Sequence, residues 1–172
     1  MNVIGICGLA RSGKDTVADY IERKYGYRKF VLSDVLRDEL ISSGKEVTKK
    51  NMAELGNELR SEKGNDVVAR MLYERCSDYG KVTVVGFRSP EEVDFFEKLT
   101  DSFFLVEVRA SKSLRVDRAV FLGNDDVVSR DSDDVLKKGL DSVFSMATII
   151  IDNDSSLDSL HLKVDDMMRE IG

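Results

Sequence analysis

The chain has 172 residues, which is about one domain at the usual size of roughly 150 residues. With 42% hydrophobic and 34% charged residues, its composition is that of a folded globular protein and excludes a disordered or membrane-embedded chain. The net charge of −6 argues against a nucleic-acid-binding or lipid-binding surface. The two cysteines have no metal-ligand spacing, and the start of the sequence has no signal-peptide pattern. Both observations predict a cytoplasmic protein.

Short β-branched runs alternate with segments of helical periodicity. Strands are predicted at 3–7, 29–32, 82–85, 103–108 and 148–151, and helices at 15–25, 67–76, 90–99, 111–121 and about 156–169. Two further helices are predicted, one capped by Ser33 or Asp34 and ending near Gly44, the other capped by Thr48 and ending at Gly64. This alternation predicts one α/β domain, residues 1–172, with a parallel sheet covered by helices on both faces. The polar stretch 123–134 is predicted to be a mobile loop.

The strongest motif is Gly8-Leu9-Ala10-Arg11-Ser12-Gly13-Lys14-Asp15-Thr16, which follows the first strand and begins the first helix. G-x-x-x-x-G-K in this context indicates a phosphate-binding loop. The two glycines allow successive N–H groups to face an anion, and the helix N-terminus adds its positive dipole end. The motif therefore predicts ATP binding by residues 8–16, with Lys14 at the outer phosphates.

The residue after Lys14 departs from the pattern, because Asp15 stands where Ser or Thr usually binds Mg²⁺. We expect Mg²⁺ to be held mostly by water and phosphate oxygens, with Thr16 or Asp15 nearby, either directly or through water. The alternative is that Asp15 is an ordinary acid of the first helical turn.

Other features narrow the class of phosphate-loop protein. The chain has no guanine-reading Asn-Lys-x-Asp, and its third strand ends at Val85 and Gly86 without the acid expected of a motor ATPase. Arg88 follows that strand instead and suits binding of a second phosphorylated molecule. Asp34 and Arg37 follow the second strand, at the sheet edge where ligands of open α/β folds gather.

Four segments occur in the order found in adenylate-kinase-like and dephospho-CoA-kinase-like proteins. They are residues 8–16, Ser33-Asp34-Val35-Leu36-Arg37, Gly86-Phe87-Arg88-Ser89 and Ile151-Asp152-Asn153-Asp154. The chain resembles most an archaeal family of dephospho-CoA-kinase-like proteins, over nearly its whole length. The resemblance implies a three-layer phosphate-loop fold, a five-stranded sheet of order 2-3-1-4-5, a helical acceptor flap at about 34–80 and a short lid at about 115–134. It also implies that the turn at Asn153 lies beside the adenine.

The predicted activity is transfer of the γ-phosphoryl group from Mg·ATP to a small phosphorylated acceptor. Lys14 would contact the donor phosphates, while Arg118 and Arg130 would neutralise the moving group as the lid closes. Arg37, Arg88 and, as a further candidate, Arg60 would bind the acceptor phosphate. Val85 and a lid with few arginines depart from the resemblance.

Three functions therefore stay open. If the acceptor is a hydroxyl, as in dephospho-CoA, Asp34 would be the general base. If the acceptor is a nucleoside monophosphate, such as adenylate or a deoxynucleotide, its oxygen is already anionic and Asp34 would only orient it. The third possibility, favoured by Val85 and the thin lid, is a switch or assembly factor that binds ATP without efficient transfer.

Overall fold

The computed structural model of the chain describes residues 1–122, 131 and 139–172. Its strands are β1 (Asn2–Cys7), β2 (Arg28–Val31), β3 (Lys81–Val85), β4 (Ser102–Arg109) and β5 (Ile149–Asp152). The helices in these ranges are α1 (Lys14–Tyr25), α2 (Leu32–Ser42), α3 (Lys49–Lys63), α4 (Val67–Cys76), α5 (Pro90–Leu99), α6 (Lys112–Phe121), α7 (Leu140–Met146) and α8 (Leu157–Ile171).

The five strands form one sheet in the order β2-β3-β1-β4-β5, with every neighbouring pair parallel. The predicted fold class and strand order are therefore confirmed. Because β1 is central, its apolar residues are buried on both faces, as its continuous hydrophobic run predicts. All carboxyl ends lie at one edge of the sheet, so the segments that follow β1 and β3 are neighbours in space.

Alternate residues of β1 face different helical layers. Val3 and Cys7 belong to a core formed with α2, α3, α4, α5 and α7. Ile4 and Ile6 belong to a second core formed with α1 and α8. The two layers complete the three-layer arrangement.

Helix boundaries agree with the predicted signals at several points. The hydroxyl of Thr48 accepts a hydrogen bond from the Asn51 N–H at 3.0 Å, and Ser89 caps α5 ahead of Pro90. Gly26 ends α1 in a left-handed conformation with φ 74°.

Two local predictions are wrong. Leu32 begins α2, so neither Ser33 nor Asp34 caps this helix, and Leu32 is not part of β2. Helix α7 was not predicted, because its seven residues give too short a periodic pattern to distinguish from a loop. No helix in the described ranges is long and apolar enough to cross a bilayer.

Gly5 makes the packing of β1 sensitive to a single methyl group. A Cβ at Gly5 would lie 2.9 Å from Phe103 Cζ and 2.9 Å from Phe87 Cε2, and Phe87 is itself buried. We therefore expect Gly5→Ala to lower the free energy of unfolding by about 1–3 kcal/mol through overpacking. Urea denaturation measures this directly.

Gly80→Ala is the matched control, since a Cβ at Gly80 would meet nothing within 4 Å. Equal stability losses in the two variants would show that Gly5 is not a packing constraint.

Candidate functional site

The loop between β1 and α1 has the backbone geometry of an anion cradle. Gly8 and Gly13 have φ angles of 143° and 103°, and Arg11 is left-handed at 64°. A Cβ at Gly8 would lie 2.3 Å from the Val108 carbonyl oxygen, and one at Gly13 would lie 2.3 Å from Asn153 Nδ2. Both glycines are therefore required by conformation and by space.

Side chains from other elements hold the carbonyl groups of this loop. Asn153, which is buried, donates from Nδ2 to the Ser12 carbonyl at 2.8 Å. Arg118 Nη1 donates to the Arg11 carbonyl at 3.1 Å, and Arg115 Nη1 donates to the Ala10 carbonyl at 3.2 Å. Three consecutive carbonyls thus have partners within the protein, and the shape of the loop is set before any ligand binds.

Arg118 also donates from Nη2 to the Asn153 carbonyl at 2.9 Å. Its guanidinium thereby joins α6, the phosphate loop and the turn after β5. These contacts are those of a support for the loop, and the predicted role of Arg118 at the moving phosphoryl group stays a prediction. Arg130, the other predicted lid arginine, lies outside the described residues.

Arg115 is the third arginine of the predicted lid, and it was assigned no role of its own from the sequence. It is 3% exposed and forms two hydrogen bonds to the Asp131 carboxylate, at 2.9 and 2.7 Å. The pattern offered one signal, since Arg115 and Arg118 are spaced three apart on the same side of α6.

The interior of the loop offers donors to a phosphate chain. Lys14 Nζ donates to the Leu9 carbonyl at 2.8 Å, so the cation is folded over the loop. Ser12 Oγ is buried and has no hydrogen-bond partner in the described part of the chain. A cation, a helix N-terminus and an unpartnered buried hydroxyl together fit a polyphosphate ligand.

The two predicted metal-site residues lie on the first turn of α1. Asp15 is exposed and its carboxylate lies 2.8 Å from Lys29 Nζ, which also contacts Asp19 at 2.9 Å. Burial lowers the pKa of Lys29, but its hydrogen bonds to the Asp15 and Asp19 carboxylates raise the pKa by more than burial lowers it. The net shift of the Lys29 pKa is therefore upward. Thr16 is exposed. Asp15 thus has a local partner, as expected of a first-turn acid, and its role at a metal stays a prediction.

A cavity of about 450 Å³ lies at the same edge of the sheet, beside the segment after β3. Arg60 and Arg88, both predicted to bind the acceptor, line it together. The rest of its described lining is Asn57, Ser61, Asn65, Ser89, Pro90, Glu91 and Gly139.

Glu92, which was not predicted, organises the two arginines. It is 0% exposed, and its carboxylate accepts from Arg60 Nη2 at 3.1 Å and from the Arg88 N–H at 2.8 Å. Burial raises the pKa of Glu92, and the charges of Arg60 and Arg88 and the Arg88 N–H oppose that rise. In the sequence Glu92 looks like an ordinary first-turn acid of α5, and only the tertiary packing reveals its role.

Asp34 and Arg37 are brought together with each other rather than with the cavity. The Arg37 guanidinium pairs with the Asp34 carboxylate one helical turn away on α2, and both side chains are more than 40% exposed. The described cavity lining includes neither residue. Their predicted roles at the acceptor stay predictions.

Cys7, the last residue of β1, pairs in register with Glu107 of β4. Burial raises the pKa of the Cys7 thiol to about 12, with a further upward contribution from Glu107. The thiol is therefore protonated at neutral pH and is not a nucleophile. The Glu107 carboxylate is bound by Arg109 through two hydrogen bonds, at 2.9 and 2.8 Å.

The comparisons agree with this geometry. Residues 7–134 match the model of a family described as an AAA domain, and the chain belongs to that family. It also belongs to the UPF0200 family. It is 31% identical to the UPF0200 protein of Methanothrix thermoacetophila, over 99% of this chain and 98% of the relative. It is 34% identical to that of Pyrobaculum aerophilum, over 99% of both chains.

Solved structures show the same fold. Shikimate kinase from Bacteroides thetaiotaomicron superposes with a TM-score of 0.64 at 16% identity, covering 99% of this chain and 98% of the other. The protein TT1252 from Thermus thermophilus gives 0.65 at 21% identity, with the same coverage. The chain therefore shares the fold of this shikimate kinase and of TT1252.

The loop geometry predicts the effect of a methyl group at Gly13. Gly13→Ala would force a side chain into a left-handed position and onto Asn153 Nδ2, at a cost of about 1–3 kcal/mol. We expect the affinity for Mg·ATP to fall about tenfold to a hundredfold in calorimetric titration.

Gly26→Ala is the control, because Gly26 is also left-handed but has open space around it at the far end of α1. It should lose about 1 kcal/mol of stability and keep its ATP affinity. Unchanged ATP binding by Gly13→Ala would refute the cradle geometry.

Proposed function

We propose that this protein is an ATP-dependent phosphotransferase that moves the γ-phosphoryl group to a small phosphorylated acceptor, in the manner of dephospho-CoA kinase. The observation that supports this most is the cavity holding Arg60 and Arg88, at the sheet edge that also holds the phosphate loop. A cavity lined by two arginines is suited to a second, phosphorylated substrate.

The donor is bound by the loop amides of residues 8–13 and by Lys14. The side chains of Arg118 and Asn153 keep the loop carbonyls engaged, so the loop pays little conformational cost when it binds phosphate. Mg²⁺, when bound near Thr16 or Asp15, supplies charge neutralisation of the β- and γ-phosphates. Arg130 is proposed to join these groups as the lid at 115–134 closes.

The acceptor phosphate is bound by Arg60 and Arg88, and Arg37 is proposed to contact the same ligand. Phosphoryl transfer depends mainly on positioning and on neutralising charge. The Arg60 guanidinium is held by a buried carboxylate that also binds the backbone at Arg88, which supplies positioning, and the charges of Arg60 and Arg88 supply neutralisation.

A nucleoside monophosphate kinase is the second candidate. It is favoured by the position of Asp34, whose carboxylate pairs with Arg37 and lies outside the described cavity lining. A monophosphate acceptor has an ionised oxygen and requires no base, whereas the hydroxyl of dephospho-CoA does.

Coupled ADP release tests the activity, with dephospho-CoA and a panel of nucleoside monophosphates as acceptors. We expect ADP production to rise with one acceptor, and Lys14→Ala to reduce that rise by at least about a hundredfold, since it removes the cation at the transferring phosphates. Lys98→Ala, an exposed change on α5, is the control. Nucleotide binding without release for any acceptor would favour an ATP-dependent switch.

Asp34→Asn separates the two acceptor types. With a hydroxyl acceptor we expect kcat to fall by about 10²–10⁴, the usual contribution of a general base, whereas with a monophosphate we expect a loss below about tenfold. Glu39→Gln, an exposed change on the same helix, should have no effect. Equal losses with both acceptor types would contradict the role assigned to Asp34.

A further inference from the structure

The chemistry of the cavity restricts what the acceptor can be, and this inference rests on the proposed function. Among the described lining residues, Pro90 is the one with an apolar side chain, and none is aromatic. The aromatic residues nearest in sequence, Phe87, Phe95 and Phe96, pack against one another in the core. The described lining therefore offers hydrogen bonds and charge but no ring on which a base could stack.

One part of the lining is an anion site. Arg60 is tied to the fully buried Glu92, and the backbone N–H of Arg88 is tied to the same carboxylate. Breaking either contact leaves a buried charge with fewer partners, so the Arg60 guanidinium and the backbone at Arg88 are held in place before a ligand arrives. The guanidinium groups of Arg60 and Arg88, which line the same cavity, are suited to one phosphate.

Another part of the lining is acidic and rich in amides. Asn65 Nδ2 donates to Glu91 Oε1 at 3.0 Å, and this hydrogen bond is the main reason that the pKa of Glu91 is lowered. Asn57 and Ser61 line the cavity from α3. An ionised carboxylate repels a second phosphate and accepts hydrogen bonds from hydroxyl groups, while amides both donate and accept.

We propose that the acceptor is a compact phosphate monoester of a polyhydroxylated compound, with its phosphate at Arg60 and Arg88 and its hydroxyl groups at Asn65 and Glu91. A ribose phosphate unit has this chemistry. A cavity of about 450 Å³ lies toward the small end of the range for ligand sites, about 300–1,000 Å³, and suits a compact ligand better than the long pantetheine arm of dephospho-CoA.

Calorimetry with the phosphate loop filled by Mg·ADP tests the proposal without requiring phosphoryl transfer. The probes are D-ribose 5-phosphate, n-pentyl phosphate, which has the same phosphate and no hydroxyl groups, and dephospho-CoA. We expect ribose 5-phosphate to bind about tenfold or more tightly than pentyl phosphate, the equivalent of one hydrogen bond to a charged group. Equal affinities, or tighter binding of dephospho-CoA than of ribose 5-phosphate, would overturn the proposal.

Single substitutions test which part of the cavity binds the phosphate and which part binds the hydroxyl groups. Glu91→Ala should reduce the preference for ribose 5-phosphate over pentyl phosphate to about twofold or less, whereas Arg88→Ala should weaken both ligands about equally. Glu97→Ala, an exposed acid on the same helix, should keep the full preference. A preference unchanged in Glu91→Ala would overturn the assignment of the hydroxyl groups to Glu91.

The results of this binding experiment and of the ADP-release assay distinguish failure of the cavity assignment from failure of the proposed phosphotransferase activity. A hydroxyl preference without ADP release for any acceptor would support the cavity assignment and contradict the phosphotransferase activity. ADP release with an acceptor that lacks hydroxyl groups would support the activity and contradict the cavity assignment.

Discussion

The conformation of the loop between β1 and α1 governs the rest of the site, because a phosphate can be bound by amides only if those amides are held in one direction. Left-handed backbone at Gly8, Arg11 and Gly13 turns the chain, and this conformation is costly for a residue with a Cβ such as Arg11. Hydrogen bonds from Arg115, Arg118 and Asn153 to three successive carbonyls offset that cost. The loop is thus linked directly to α6 and to the turn after β5.

In the cavity, as in the loop, groups that could contact a ligand are held by other parts of the protein, and here the buried Glu92 carboxylate holds them. Glu92 is a buried carboxylate, and burial alone would favour its neutral form. Hydrogen bonds from Arg60 and from the Arg88 N–H replace part of the hydration that the Glu92 carboxylate loses on burial. These two hydrogen bonds hold the guanidinium of Arg60 and the backbone at Arg88 beside the cavity. In both halves of the site, a ligand meets groups that the protein has already oriented.

The strand order could be predicted from the resemblance and the glycine-rich loop from a local pattern. Arg60 and Arg88 were predicted to share a ligand, and both line one cavity, while their binding of an acceptor stays a prediction. Sequence reasoning misplaced the start of α2 because Leu32 is apolar enough to continue a strand. It missed Glu92 and gave Arg115 no role of its own because their partners, Arg60 and Ala10, are 32 and 105 residues away along the chain. A contact of that kind leaves no periodic signal in the sequence.

The end of β3 shows how charge is distributed around the site. Val85 is 2% exposed and packs in the apolar core with α1 and α8, so an acid at this position would lose its hydration. Glu107, two residues before the end of β4 on the other side of β1, is already paired with Arg109. With an apolar residue at one position and a paired acid at the other, the sheet edge adds little unpaired negative charge near Lys14. Lys14 therefore lies at a sheet edge where the acid of the neighbouring strand is already paired, despite the overall charge of −6.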